Sequence, residues 1–210
     1  MSAPRFRDRA DAGDQLAEAL RGALEGPAVV LGIPRGGVVV AARVASRLGL
    51  PLGVVVTKKL GAPGNPELGI GALAPGVRVL EPGVIAALGV SRGWLDRESA
   101  RVDAEIDRRA EAYGAVQDVR GRVAVVVDDG VATGSTARAA GLWAKRSGAL
   151  RAVLGVPVAP EGVEERVADA FDQVVAVATL RGLRAVGQCY ADFGQVADDE
   201  VRALLREPAG

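Results

Sequence analysis

An α/β domain built on a mostly parallel sheet is the fold class this sequence predicts, on three observations. Short apolar runs of strand length alternate with segments that read as helices. The runs are continuously apolar, as in Ala28 to Ile33, which suits strands covered on both faces. Two of them end in glycine-bearing polar turns, Pro34 to Gly37 and Asp128 to Thr136, and ligands bind such sheets at the carboxyl ends of their strands.

The elements follow in order. Asp11 to Leu24 places Leu16, Ala17, Leu20 and Leu24 at helical spacing, and Pro27 ends that helix. Ala28 to Ile33 is the first strand, followed by Pro34-Arg35-Gly36-Gly37. Val38 to Leu48 is a helix that closes at Gly49 and Pro51. Its valines do not favour a helix, but the strand-turn-strand setting does. Leu52 to Thr57 is a second buried strand leading into Lys58-Lys59, which completes a βαβ unit. A region rich in Gly and Pro follows, from Gly61 to Gly76. Within and after it, Leu68 to Leu73 and Val77 to Leu80 can pair as a hairpin through Pro75-Gly76. Ser91 to Tyr113 reads as a long, exposed amphipathic helix. Arg122 to Val127 is the third strand and Thr136 to Ser147 the next helix. Ala152 to Val158 and Gln173 to Val177 are strands flanking a helix from Pro160 to Ala170, and Ala197 to Leu205 is a last short helix.

Composition narrows the function. The 210 residues suit one domain, and 49% are apolar, enough for a sizeable core. Lys plus Arg and Asp plus Glu number 26 each, so no global basic field draws nucleic acid or anionic membrane. Cys189 is the only cysteine and there is no histidine. Intrachain disulfides, Cys-based zinc clusters, Ser-His-Asp and Cys-His catalysis and histidine bases are therefore excluded. No run reaches membrane-spanning length and the start is charged and polar, so the expected compartment is the cytoplasm. No Gly-Lys dipeptide offers a Walker lysine, and Gly32 to Gly37 lacks the dinucleotide-binding spacing.

The chemistry concentrates at Val125-Val126-Val127-Asp128-Asp129-Gly130-Val131-Ala132-Thr133-Gly134-Ser135-Thr136. A buried strand is a rigid platform for the two carboxylates at its exit, which can accept hydrogen bonds from vicinal hydroxyls. Glycines let successive N–H groups converge, a helix N-terminus adds its positive dipole end, and three hydroxyl residues add donors. Together these make a cradle for a sugar monophosphate. The alternative is a strand end with two solvated aspartates and a helix cap.

This stretch resembles the phosphoribosyl pyrophosphate (PRPP) signature of type I phosphoribosyltransferases. With Pro34 to Gly37, Lys58-Lys59 and the tail from Val186 to Phe193, the chain is similar to a little-characterised bacterial branch of that family. The resemblance implies the family's Rossmann-like fold, a central parallel sheet flanked by helices with a small hood. It implies one domain over residues 1–210, a loop and helical insertion at about 60–117, and a hood from terminal or inserted segments. It also implies that Asp128 and Asp129 serve the ribose, Mg²⁺ and the charge that develops as pyrophosphate leaves. Ala132, Thr133, Gly134, Ser135 and Thr136 would hold the 5′-phosphate. Arg35, Gly36 and Gly37 match the family's pyrophosphate loop, where an unusual peptide conformation exposes N–H groups; taken alone they read as turn punctuation. Lys58 and Lys59 are either phosphate-neutralising cations or a charge pair leaving a strand. Gly61 to Glu67 corresponds in position to the family's closing loop, or is an ordinary connection. Tyr190 and Phe193 either stack a base or pack in the core. Ala132 stands where many 6-oxopurine enzymes carry an aspartate, so the acceptor, a purine or a pyrimidine-type base, stays open. The implied activity is transfer of the phosphoribosyl group from PRPP to a nitrogenous base, by a homodimer that could pair through the Ser91 to Tyr113 helix. The competing reading is a non-catalytic PRPP sensor.

Overall fold

The structure, a computed structural model, describes residues 5–114 and 117–206. The expectations for the first four residues, for positions 115 and 116 of the inserted region and for the last four residues lie outside that range.

Five parallel strands form the central sheet in the order β2-β1-β6-β7-β8. They are β1 (Ala28–Gly32), β2 (Leu52–Val54), β6 (Val123–Val127), β7 (Arg151–Pro160) and β8 (Gln173–Leu180). Strict alternation of side chains sorts each strand between two cores. Val29, Leu31, Ala124, Val126 and Leu154 face α5 (Ser135–Arg146) and α6 (Val163–Val167). Val30, Val123, Val125 and Val153 face α1 (Arg9–Leu20) and α2 (Gly36–Leu48). Burying both faces explains why β1 and β6 are apolar at every position. Each fully buried valine or leucine contributes about 1.5–3 kcal/mol. This is the parallel sheet flanked by helices that the sequence predicts.

The region after β2 differs from its expectation. Regular pairing of β2 ends at Val54, although Val55 N–H still donates to the Gly32 carbonyl at 3.1 Å. Lys58-Lys59 does not lead into a loop but opens β3 (Lys58–Ala62), which pairs antiparallel with β4 (Asn65–Ala74). The pairing is irregular across Leu60 to Ala62, where glycine and proline interrupt the alternation that would mark strands in the sequence. The predicted hairpin through Pro75-Gly76 is present and joins β4 to β5 (Val77–Leu80). This three-stranded sheet packs one face on α4 (Arg92–Tyr113) and the other, through Ala72, Ala74, Val77 and Val79, on Ala139 and Trp143 of α5.

Smaller departures have local causes. α1 begins at Arg9 because Asp8 caps it, accepting from Asp11 N–H at 2.8 Å. The helix expected from Pro160 shrinks to α6 because β7 runs on through Pro160. A six-residue helix, α3 (Pro82–Ala87), adds to the expected elements; proline at its first position is the available signal. Gly89 to Gly93 has Gly-x-Ser-x-Gly spacing, but Ser91 Oγ is the N-cap of α4, accepting from Trp94 N–H at 3.3 Å. The last helix, α7 (Asp198–Arg206), packs against α2, α4 and β2. Among the described residues, no helix is long and apolar enough to cross a membrane.

Candidate functional site

β1 and β6 are hydrogen-bonded neighbours with Gly32 opposite Val127, so the turns that leave them lie side by side. Ile33 N–H donates to the Val127 carbonyl at 2.8 Å and extends that pairing into the turns. The proximity depends on two residues without side chains. A Cβ on Gly36 would stand 1.9 Å from Asp129 Oδ2, and one on Gly37 would stand 2.8 Å from Asp128 Cα. The sequence suggests these glycines let backbone approach an anion; the anion they approach in the folded chain is the Asp128-Asp129 pair. The Pro34–Arg35 peptide is cis. Arg35 stands at the start of α2, beside these glycines.

Asp128 and Asp129 are half-buried at the exit of β6. Asp128 Oδ1 accepts from Asp129 N–H at 2.9 Å. Asp129 Oδ2 accepts from Arg9 Nε at 2.8 Å. Burial, and then the like charge of Asp129, pushes the Asp128 carboxyl well above the usual carboxylate range. Burial raises Asp129 too, and the Arg9 guanidinium offsets part of that rise. The remaining oxygen of each carboxylate has no protein partner among the described residues. Two such oxygens suit a hard divalent cation that keeps most of its waters and arrives with phosphate, rather than a cage made wholly of protein. Among the described residues, no cluster of three or more metal-ligating side chains occurs.

Arg9 has no sequence motif to announce it; it sits in a polar stretch that reads as solvated. Its Nη1 donates to the Gly194 carbonyl at 2.8 Å, and its guanidinium carbon lies 3.9 Å from the Phe193 ring centroid. The two ends of the chain are joined here. Phe6 N–H donates to the Cys189 carbonyl, and Asp192 N–H to the Arg7 carbonyl. Tyr190 is buried, with its ring between Phe6 and Phe193 at centroid distances of 5.3 and 5.0 Å. Its hydroxyl donates to the Asp129 carbonyl at 2.6 Å. Tyr190 therefore has no face to offer a base and supports Asp129 instead, which corrects one half of the stacking expectation. Phe193 is 37% exposed, with Arg9 over its ring.

The loop from Gly130 to Thr136 surrounds a cavity of ≈ 220 Å³, closed by Lys59 and Val186. Gly134 has φ +91°, a left-handed conformation that turns the chain into α5. The two lysines part company, because successive residues of a strand face opposite ways. Lys59 lines the cavity and donates to the Glu67 carbonyl at 2.9 Å. Lys58 turns away from the cavity and pairs with Glu105 of α4. Ser135 also lines the cavity, and its Oγ donates to Glu81 Oε1 at 3.1 Å.

Comparison with known proteins gives this geometry a family. Residues 7–176 match the model of the phosphoribosyl transferase domain. Two Mycobacterium tuberculosis proteins provisionally named phosphoribosyl transferases, from strains CDC 1551 and H37Rv, are each 46% identical over 204 residues, 95% of this chain. The chain spans about half the length of these curated relatives, 46% of each. The crystal structure of TT1426 from Thermus thermophilus superposes with a TM-score of 0.80 at 46% identity, covering 98% of this chain and 100% of that one. The AQ2163 protein of Aquifex aeolicus shares the fold at 14% identity, with a TM-score of 0.51 over 87% of this chain and 83% of that one. The chain belongs to the phosphoribosyl transferase domain family.

Proposed function

We propose that the protein transfers the 5-phosphoribosyl group of PRPP to a nitrogenous base and releases pyrophosphate. One observation carries the reading: a half-buried carboxylate pair and a glycine-and-hydroxyl cradle at a helix N-terminus leave the same strand, beside the arginine-bearing turn of its neighbour.

Each residue then has a part. Backbone N–H groups of Ala132 to Thr136, the positive end of α5 and Lys59 hold the 5′-phosphate. Thr133 and Thr136 line the cavity and add hydroxyl donors. The free oxygens of Asp128 and Asp129 accept hydrogen bonds from the ribose hydroxyls. The same two carboxylates stabilise positive charge that develops on the ring as the bond from C1 to pyrophosphate lengthens. Mg²⁺, held by Asp128 and Asp129 directly or through water, would neutralise the pyrophosphate when bound. Arg35 supplies a planar, multidentate donor for pyrophosphate, next to Gly36 and Gly37. The β3–β4 hairpin carries Lys59 and is the element that can close over the site and exclude water.

Pyrophosphate release from Mg-PRPP across a panel of purine and pyrimidine bases tests the reading. Release is expected with one base and should be lost in Asp128→Asn/Asp129→Asn. Binding of PRPP without turnover for any base would favour the sensor; no binding of PRPP would overturn both.

A further inference from the structure

Ser135 opens α5, and the carboxylate that accepts its hydrogen bond follows the last strand of the three-stranded sheet. Glu81 follows β5 and caps α3, 54 residues earlier in the chain. A serine hydroxyl carries one proton. With that proton committed to Glu81, Ser135 Oγ offers the adjoining cavity lone pairs and no donor. The carboxylate also stands at the positive end of the α5 dipole, where unpaired backbone N–H groups favour an anion. No basic side chain bonds Glu81 among the described residues. The Arg138 guanidinium, which Glu81 influences, is engaged by Asp169 through bonds of 2.7–3.0 Å. A phosphate entering the cavity would therefore meet a second negative charge at the same helix end, and would compete with it for the Ser135 proton.

We propose that Glu81 is a built-in competitor for the phosphate of the ligand. It holds Ser135 while the cradle is empty and yields it when a phosphate monoester enters. The backbone need not move: Glu81 N–H stays bonded to the Ile70 carbonyl at 2.9 Å, so the exchange takes place in the side chains. This rests on the phosphoribosyltransferase reading and adds a control on the affinity of that same cradle.

Calorimetric titration of the full chain tests it, with ribose 5-phosphate, inorganic phosphate and unphosphorylated ribose as probes. Glu81→Gln should tighten both phosphate ligands about tenfold, the lower end of what one hydrogen bond to a charged group contributes, and leave ribose unaffected. The gain should shrink when Glu81→Gln is made on top of Ser135→Ala, because only the removal of the charge then contributes. Unchanged or weaker phosphate binding by a Glu81→Gln protein that melts like the wild type would overturn the proposal. Should that variant fail to fold, Glu81→Asp, which shortens the reach by one methylene, is read in the same way. Wild-type protein that binds neither ribose 5-phosphate nor, in a parallel titration, PRPP would remove the phosphoribosyltransferase reading of the site and this inference together. Phosphate binding indifferent to residue 81 would remove the inference alone.

Discussion

The turn after β6 and the turn after β1 are adjacent, rich in glycine and followed by helices, yet they are different kinds of object. The β6 turn carries its chemistry in its own side chains: two carboxylates, hydroxyls and a left-handed Gly134. The β1 turn is shaped largely by its neighbour, since Gly36 and Gly37 lack side chains where Asp129 and Asp128 need the space. A glycine beside an arginine can thus signal close packing as readily as anion binding, and only the contact across the two turns separates these meanings.

Gly36→Ala attacks that contact directly and should have the largest effect. Its Cβ would overlap Asp129 Oδ2, so either the carboxylate or the turn must shift. Overpacking of this kind costs about 1–3 kcal/mol, and a displacement near ~1 Å at reacting groups can cost roughly a hundredfold in rate. Thermal melting and PRPP turnover would read both. Gly83→Ala, with open space around it, is the matched control and should leave both unchanged. Equal behaviour of the two variants would show that the β1 turn does not depend on its contact with Asp129.

Arg9→Ala removes the cation that faces Asp129 from outside both turns. The loss of stability should be about 2 kcal/mol at neutral pH, because a half-buried carboxylate loses its partner. The sign with pH follows from protonation. Once Asp129 takes up a proton it no longer needs Arg9, so the gap between variant and wild type should narrow as pH falls, in urea titrations at two pH values. The raised carboxyls also predict that PRPP affinity declines on acidification. That decline should begin above the usual aspartate range near ~3.9, because protons compete earlier for a group whose pKa is elevated.

The two lysines sharpen the comparison at lower energy. Lys59→Ala should weaken ribose 5-phosphate binding by about three- to tenfold, the loss of one charged contact, with little change in melting. Lys58→Ala should leave binding alone and cost under about 1 kcal/mol of stability, since its pair with Glu105 is partly exposed. The reverse pattern would exchange their assignments.

The smallest effect concerns the helices that deliver Arg9 and Gly36. Asp14 of α1 accepts from Arg47 and Arg43 of α2, and those contacts lower its pKa to about 2. A lowered carboxyl stabilises the fold above its unfolded pKa and loses that contribution as pH falls toward about 2. Asp14→Asn should therefore cost under about 1 kcal/mol at pH ~7, the pair being solvent-screened, and only a small remainder of that near pH ~2, where the folded carboxyl is half protonated. Chemical denaturation at the two pH values measures the difference.

Local sequence by itself determined a good deal. Continuous apolar runs marked β1, β6 and β7, because a parallel strand buried on both faces leaves few polar positions, and the half-buried edge strand β8 carries an apolar run of its own from Val174 to Ala178. The acidic pair, its glycines and the helix start were legible because they are contiguous and each has its own geometric requirement. The hairpin of β3 and β4 was hidden, since glycine and proline blur the alternation that identifies strands. What tertiary structure alone decided is which distant residues reach the site. Arg9 and Tyr190 reach Asp129 from opposite ends of the chain, Glu81 reaches Ser135 from the end of the three-stranded sheet, and strand alternation sends Lys58 and Lys59 to opposite sides. A contact between residues far apart in sequence leaves no periodicity or spacing to read; packing of one layer on another creates it.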